Sequence, residues 1–336
     1  MRYRVTVLTP TLVGDGQRLS PIDYMVWKDQ VNVLDQRRIF KMLAKGPRLE
    51  PYLEQIRRAT KLDFASWGGY AQNYAVRRIP FENALLTKVW EAARPDSLHI
   101  PLFANTPTGP VLPGSAVRGA IRTALTFLRW RDRGVEKVLE QAAERVSGDR
   151  IPRYLSQPFD NSEPKAKPGD ARLVSGGFKI YQVRTSRLQQ GVVSWKDTTP
   201  AFAEMATPGT TFEGAWTTED PRVAGRAAAP APWAESLLEG QILYATQAKL
   251  PALAAKLEEL RGKPGLLSIG WGGGFLGKTA AHDTTQAAYR TVLRAMPFYS
   301  RAIQTGLPFP KTRRILSEGP TPAFFPGWVS LEVLDK

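Results

Sequence analysis

Residues 270–284, GWGGGFLGKTAAHDT, decide which class of fold this sequence can adopt. Gly272, Gly277, Lys278 and Thr279 follow the spacing G-x-x-x-x-G-K-T, which is the letter pattern of a phosphate-binding P-loop. A P-loop would place the chain among the parallel-sheet nucleotide hydrolases. A glycine-rich loop of another kind would bring backbone amide groups and Lys278 to a different ligand. The surrounding sequence distinguishes the two.

The sequence that follows the loop argues against a nucleotide hydrolase. P-loop folds need several βα units after the loop, yet residues 280–336 contain one clear strand pattern, GWVSLEVLD. The closest match to a metal-binding acidic strand is VNVLD at 31–35, far upstream in a predicted hairpin. We therefore predict that the flexible glycine backbone, together with Lys278, lets a phosphodiester chain approach closely.

Composition predicts a globular protein of one large domain or two ordinary ones. The chain has 336 residues, of which 43% are hydrophobic and 23% charged, as in folded soluble domains. The absence of cysteine excludes disulfides and thiolate zinc sites and fits a reducing compartment. With no secretory signal pattern and no long apolar run, the sequence predicts a cytoplasmic protein without a membrane partner.

The charge balance points to a polyanionic partner. Lysine and arginine exceed aspartate and glutamate by 15, and the isoelectric point is near 10. Such an excess favours nucleic acid, because each neutralised phosphate releases a counterion. A merely basic surface is the plainer alternative.

The first part of the chain reads as a β unit with an insertion. Apolar residues alternate in RYRVTV at the N-terminus, and YMVWKDQVNVLD predicts two short strands around a turn at 28–30. Asp35 is a suitable N-cap for the helix that follows. Residues 49–91 have a mostly helical pattern. We assign 1–155 to an N-terminal module with a helical insertion at about 36–95.

A longer helix is predicted in the middle of the chain. In LPGSAVRGAIRTALTFLRWRDRG, Ser115 is the expected N-cap and Gly134 the expected end. An apolar stripe adjoins a stripe of arginines on the neighbouring face. These arginines are Arg118, Arg122, Arg129 and Arg133. Four arginines without interleaved acids favour a phosphate-facing surface, and a solvated helix face is the alternative.

The second half predicts another β-rich module over 173–336, after a polar connecting loop at 156–172. Strands and helices are mixed without the regular crossovers of a doubly wound sheet, so the fold class is α+β. The loop at 156–172 and the Ala-Pro-rich segment at 220–233 contain few large apolar residues. We predict that both are mobile in the free protein and that at least one becomes ordered on assembly.

Catalytic arrangements are sparse. The two histidines, His99 and His282, lie far apart in sequence and form no recognisable dyad. Asp15, Asp23 and Asp35 could in principle hold a metal near an RNA phosphate, although loop, turn and cap roles explain them more simply. We predict no metal site, no cofactor and no catalytic residue.

Four stretches together resemble the RAMP proteins, the repeat-associated subunits of CRISPR effector complexes. The second of them is similar to the RAMP segment I-P-G-S-S-x-K-G-A-I-R-T-A-L, with Arg118 where lysine is common. The order and length most resemble the fifth subunit of the type III-A (Csm) complex. The four stretches are LTPTLVGDGQRLSPIDYMV, LPGSAVRGAIRTAL, LLSIGWGGGFLGKT and FFPGWVSLEV.

The resemblance implies two RRM-like (ferredoxin-like) modules with helical and loop insertions. It also implies a non-catalytic subunit that caps the backbone filament and holds the 3′ portion of the crRNA. Expected partners are crRNA, target RNA and neighbouring Csm subunits. The first loop lacks the histidine often found in this family, and no residue matches the aspartate with which backbone subunits cut RNA. A metal-dependent crRNA-processing endoribonuclease remains the alternative.

The predicted RNA contacts fall in four segments: the first glycine loop, the long helix, the second glycine loop and the basic stretch FPKTRR at 309–314. They are Gly14, Gly16, Arg18, Ser115, Arg118, Arg122, Gly272, Gly273, Gly274, Lys278, Thr279, Lys311, Arg313 and Arg314.

Overall fold

The computed structural model of the chain describes most of the sequence. The described residues are 1–58, 61–62, 71–94, 98–145, 167–189, 192–196, 201–217, 231–280, 282–283, 285–304, 310 and 312–334. Three predictions therefore lie largely or wholly outside them, namely those for Lys311, for most of the 156–172 loop and for most of the 220–233 segment. No helix among the described residues is long and apolar enough to cross a membrane.

Helices and antiparallel strands alternate irregularly along the chain. The strands are β1 (Arg2–Val7), β2 (Arg18–Leu19), β3 (Tyr24–Trp27), β4 (Gln30–Leu34), β5 (Ala75–Pro80), β6 (Ile100–Pro101), β7 (Asn105–Thr106), β8 (Gly109–Leu112), β9 (Ala171–Ser175), β10 (Phe178–Gln189), β11 (Val192–Trp195), β12 (Ala201–Ala206), β13 (Thr211–Ala215), β14 (Leu266–Ser268), β15 (Arg313–Glu318), β16 (Thr321–Phe324) and β17 (Trp328–Leu334). The helices are α1 (Gln36–Leu43), α2 (Leu49–Arg58), α3 (Leu85–Ala92), α4 (Gly114–Arg133), α5 (Val135–Arg145), α6 (Ala231–Gln247), α7 (Pro251–Glu258), α8 (Ala287–Ala295) and α9 (Pro297–Gln304).

The largest sheet has seven strands in the order β14-β17-β1-β13-β9-β8-β7. A second sheet has the order β11-β10-β15-β16, with β12 also paired to β10. Smaller sheets are formed by β3-β4-β5 and by β2-β6. The named strands of the described chain all pair antiparallel, so the predicted α+β class is confirmed.

The sequence pattern of β1 explains its central position. Tyr3, Val5 and Val7 are fully or almost fully buried, because alternate residues of a strand face the same side. On the opposite face, Arg4 lies 2.7 Å from Glu213 of β13 and 3.7 Å from Glu332 of β17. Strand β1 therefore joins two strands from the second half of the chain, and the large sheet contains strands of both proposed modules. The boundary at 156–172 stays a prediction.

Three local predictions in the first part of the chain are confirmed. The hairpin β3–β4 turns through Lys28 and Asp29, whose φ angles are 51° and 57°, as in the tight turns that suit a twisted hairpin. Asp35 caps α1 by accepting a hydrogen bond from the Arg38 amide. Helix α4 ends at Gly134, with φ 79°.

The mostly helical pattern predicted for 49–91 is confirmed by α2 and α3, but the segment also contains a strand, β5, which pairs with β4 and so owes its conformation to a non-local partner. The predicted C-terminal strand is confirmed as β17, which is interior, between β14 and β1. The mobility predicted for 156–172 and 220–233 is wrong for their described ends. Residues 167–172 are ordered, since Asp170 contacts α4 and Arg172 belongs to β9. Residues 231–233 begin α6, where Trp233 is fully buried.

The N-cap of α4 is also not the predicted one. Pro113 occupies that position, and Ser115 lies exposed in the first turn. The Gly114 amide instead donates to Asp170 Oδ1 at 2.8 Å. A Cβ on Gly114 would lie 2.3 Å from the Pro168 carbonyl oxygen. The helix therefore begins against residues 168–170, and this non-local carboxylate replaces the local serine cap.

Candidate nucleic-acid interface

Three of the four predicted segments meet around one groove of about 540 Å³. Residues 12–18 form one wall, the first turns of α4 form the second, and residues 268–278 form the third, with 101–102 closing one side. Gly14, Gly16, Arg18, Ser115, Gly273 and Lys278 all line it. Segments more than 250 residues apart in the chain thus form one surface.

Backbone contacts hold the two glycine loops together. The Trp271 amide donates to the Leu12 carbonyl at 2.7 Å. A Cβ on Gly270 would lie 2.3 Å from that carbonyl, and φ of Gly270 is 78°, a conformation that side chains disfavour. A Cβ on Gly14 would likewise lie 2.8 Å from the Leu102 carbonyl. Glycine at these two positions therefore serves the assembly of the groove.

The second glycine loop is not a P-loop. Its GKT segment forms a short 3₁₀ turn at Leu276–Lys278, and the next described helix begins at Ala287. The preceding strand, β14, pairs antiparallel with β17. A P-loop instead connects a strand of a parallel sheet directly to a helix. The match to the G-x-x-x-x-G-K-T motif is therefore coincidental.

Helix α4 presents a face of small residues to the groove. Ser115, Ala116, Gly119, Ala120 and Thr123 line it, because positions separated by three or four residues share one face. A Cβ on Gly119 would meet no atom within 4 Å. Small side chains here leave room for a ligand to reach the helix backbone.

Cations and an aromatic ring border the groove. Arg18 and Lys278 are exposed and line it. Arg314 of β15 lies over the Trp271 ring, with its guanidinium carbon 4.4 Å from the ring centroid. Trp271 itself lines the groove and is half-buried. The site therefore offers positive charge and a flat ring, the two components that single-stranded nucleic acids engage.

The predicted arginine stripe lies beside the groove. Arg118 and Arg122 are exposed but do not line it. At about 100° per residue, Arg122 lies within about 20° of Ser115 around α4 and Arg118 within about 60°, both on the side away from Ala116. They form a basic rim. Arg129 is half-buried on the same stripe, and the side chain of Arg133 lies outside the described part.

Four other predicted RNA-contact residues do not line the groove. The Arg313 side chain packs over Tyr244 of α6, 5.3 Å from its centroid, because neighbours in a strand face opposite sides; burial lowers the pKa of Arg313 to about 10. Thr279 contacts Tyr289 at 3.2 Å. Gly272 packs against Pro326. Gly274 is exposed, with φ 69°, and does not line the groove.

The acidic residues considered as metal ligands have local structural roles. Asp15 Oδ1 accepts from the Gln17 amide, and Asp23 Oδ2 accepts from the amide and hydroxyl of Ser20. Asp35 caps α1. In the described part of the chain, no three histidine or acidic side chains come together as a metal site would require.

His282 belongs to a packed aromatic cluster. Its ring lies 5.7 Å from the Phe127 ring and 5.8 Å from the Trp233 ring. Its Nδ1 is 3.0 Å from the Ser236 hydroxyl. Burial lowers the pKa of His282 to about 4, so the ring is neutral at physiological pH. The second histidine, His99, also has a buried Nδ1, for which the described residues provide no hydrogen-bond partner.

Sequence reasoning missed several groove residues. Trp271 lies between Gly270 and Gly272, where the glycine spacing dominates the sequence pattern. Gly119 and Thr123 carried a readable signal, since small residues recur at helical spacing from Ser115 onward. Ser268 carried none, because a serine in a short apolar strand reads as an ordinary core residue.

A sequence profile of the RAMP superfamily matches residues 4–276. The chain belongs to the RAMP superfamily. This RAMP protein also resembles two solved structures over nearly its whole length. One is a chain of a Csm–crRNA–target RNA ternary complex of a type III-A CRISPR-Cas system, solved by cryo-electron microscopy, with 20% identity, a TM-score of 0.64 and coverage of 99% of this chain and 100% of that one. The other is Csm5 of T. onnurineus, with 16% identity, a TM-score of 0.61 and coverage of 97% and 99%. No curated protein matches.

These similarities confirm the RAMP resemblance and the fold that it implied. At 16% and 20% identity, they establish the shared architecture and leave the roles of individual residues to be argued from the groove itself.

Proposed function

We propose that this RAMP protein is a non-catalytic, RNA-binding subunit of a type III-A (Csm) interference complex. In that role it holds the 3′ portion of the crRNA and caps the backbone filament. Its partners are then crRNA, target RNA and the other Csm subunits. The observation that carries this proposal is the groove, where two glycine loops, a small-residue helix face, Arg18, Lys278 and Trp271 converge.

The groove suits an RNA strand better than a compact small anion. Its walls come from segments with open backbone at Gly16 and Gly119, where a Cβ would meet nothing. Arg18 and Lys278 line the groove, while Arg118 and Arg122 continue the positive charge along α4. A chain of phosphates matches such an extended arrangement, whereas one phosphate would need a closed cradle.

The cations of the groove should contribute to the salt dependence of RNA binding. We expect replacement of Arg18 and Lys278 by alanine to weaken binding of single-stranded RNA. The plot of log affinity against log salt should become less steep by about 0.7 per phosphate contact, or about 1.4 in all. Replacement of the rim residues Arg118 and Arg122 should give a smaller loss. Fluorescence anisotropy titrations at four salt concentrations measure both quantities.

The matched control replaces Arg57 and Arg58 of α2 by alanine. This removes the same charge from exposed side chains that pair with Glu54. If the control and the groove variant lose affinity equally, the net charge of the protein drives binding and the groove has no special role.

Placement at the crRNA 3′ end is tested in the assembled complex. Native complex is purified with crRNA that carries a photocrosslinking nucleotide near either end. We expect crosslinks from the 3′ end to residues 12–18 and 268–278, and none from the 5′ end. Crosslinks from the 5′ end alone would place this chain elsewhere in the complex.

The endoribonuclease alternative predicts a different outcome. The purified chain would cut repeat RNA at one position in the presence of magnesium, and alteration of Asp15, Asp23 or His282 would abolish the cut. Incubation of the chain with labelled repeat RNA, with and without magnesium, distinguishes the two functions.

A further inference from the structure

Ser268, the last residue of β14, has an unusual environment. The residue is only 4% exposed, and its side chain lines the floor of the groove. Its hydroxyl makes no hydrogen bond within the described part of the chain, and its oxygen is not fully buried. Solvent or a ligand in the groove can therefore reach it. A polar group left open in this way on the floor of a groove is positioned for a ligand.

Two glycines keep this hydroxyl uncovered. A Cβ on Gly273 would lie 3.4 Å from Ser268 Oγ, and one on Gly277 would lie 3.5 Å away. Neither glycine has the left-handed φ that Gly272 and Gly274 have, at 101° and 69°. Backbone conformation therefore does not require glycine at 273 and 277. Access to the hydroxyl does explain why side chains are absent at both positions.

The surroundings of Ser268 favour a neutral polar group over a phosphate. Arg18 and Lys278, the cations that line the groove, are both exposed. The floor around Ser268 includes Leu12 and Ile269, which are 2% and 5% exposed. Transfer of a charged phosphate to such a floor would cost its hydration. A hydroxyl group of the ligand is neutral, and it can both donate to and accept from a serine hydroxyl.

We propose that Ser268 hydrogen-bonds the ribose 2′-hydroxyl of a nucleotide in the groove and so makes the groove selective for RNA over DNA. The inference rests on the proposed RNA-binding function and adds a specificity-determining residue to it. In this arrangement the phosphates lie at the mouth, beside Arg18 and Lys278, and one sugar edge faces the floor. The 2′-hydroxyl is the group by which a protein distinguishes RNA from DNA at a given site.

The test compares the wild-type chain with Ser268→Ala on single-stranded RNA and DNA of the same sequence. We expect the wild type to prefer RNA. The variant should lose roughly 3- to 10-fold in RNA affinity, as expected for one hydrogen bond, and should keep its DNA affinity. A set of RNAs with one 2′-deoxy substitution each should contain a position whose penalty in the wild type disappears in the variant.

A second variant retains the Ser268 hydroxyl but blocks access to it with a methyl group. Gly277→Ala would place a methyl group 3.5 Å from Ser268 Oγ, and we expect the same selective loss of RNA affinity. Thermal unfolding serves as the control for folding, because Ser268→Ala removes a hydroxyl that makes no hydrogen bond to the described residues.

The outcomes separate the two proposals. Equal losses on RNA and DNA, or no loss on either, would overturn the role of Ser268 and leave the RNA-binding function intact. A wild-type chain that binds no RNA would overturn both.

Discussion

Replacement of Trp271 by alanine should lower the affinity for single-stranded RNA roughly 5- to 150-fold. Stacking of a base on an aromatic side chain contributes about 1–3 kcal/mol by alanine substitution, which corresponds to that range at 25 °C. Trp271 lines the groove, and Arg314 lies over its ring, 4.4 Å from the centroid. Arg314 does not line the groove although Trp271 does, so the part of the indole that lines the groove is available to a base.

The variant Trp271→Phe separates stacking from the loss of bulk. A phenyl ring retains an aromatic platform, so we expect it to recover most of the affinity. Arg314→Ala should give a smaller loss than Trp271→Ala, because it removes one cation and leaves the ring. Fluorescence anisotropy with a labelled oligonucleotide measures all three variants at one salt concentration.

The chain contains a matched control for this pair. Arg184 lies over Trp195 with its guanidinium carbon 4.1 Å from the ring centroid, and neither residue lines the groove. Trp195→Ala therefore removes an arginine-covered tryptophan of the same kind from another surface. If Trp195→Ala weakens RNA binding as much as Trp271→Ala, the platform in the groove has no special role.

Sequence patterns correctly predicted the turns and helix ends that are determined by residues close in sequence. The hairpin β3–β4 and the Asp35 cap depend on residues within a few positions of each other, so the sequence alone contains their explanation. The same holds for the end of α4 at Gly134. In each case a turn or cap residue acts on its own neighbourhood.

The elements that were missed depend on distant partners. The carboxylate that binds the first amide of α4 comes from Asp170, 56 residues beyond Gly114. Strand β5 exists through its pairing with β4, and the interior position of β17 comes from its pairing with β14 on one side and β1 on the other. Single-sequence patterns contain no information about such pairings, whatever the propensity of the segment.

The candidate site was predicted by segment more accurately than by side chain. Both glycine loops and α4 meet at one groove, whereas the sequence predicted only that each of these segments contacts RNA. Within β15, however, only the alternation of the strand decides that Arg314 faces Trp271 while Arg313 faces Tyr244. The side of the sheet that each residue of β15 faces depends on its pairing register with the neighbouring strands. The residues that line the groove therefore become known only from the assembled fold.

Removal of one partner from the ion pair between Arg77 and the buried Glu204 should strongly destabilise the protein. Glu204 of β12 is fully buried, and Arg77 of β5 contacts both carboxylate oxygens, with Nη1 3.2 Å from Oε2. The Phe103 amide donates to the same Oε2 at 3.2 Å. These bonds connect the three-stranded sheet to the sheet around β10. Burial raises the pKa of Glu204, and Arg77 opposes that increase.

Replacement of Arg77 by methionine should reduce the free energy of unfolding by about 3 kcal/mol at pH 8. Loss of one partner of a buried pair costs about 3–5 kcal/mol, because the remaining charge stays buried and uncompensated. We expect the lower end of that range, since the Arg77 side chain is one-third exposed and solvent screens it. Urea unfolding followed by circular dichroism measures the loss.

The pH dependence of this loss identifies its cause. Without Arg77 the pKa of Glu204 rises further, so the folded state holds its proton more tightly than the unfolded chain does. The deficit is therefore absent below the ordinary glutamate pKa and grows as pH rises through the folded-state pKa. The double variant Arg77→Met, Glu204→Gln keeps an oxygen for the Phe103 amide and removes the charge, so it should recover most of the stability at pH 8. A deficit that persists unchanged at low pH, or in the double variant, would mean that lost packing of Arg77 against Phe178, 5.9 Å from its ring centroid, outweighs the buried charge.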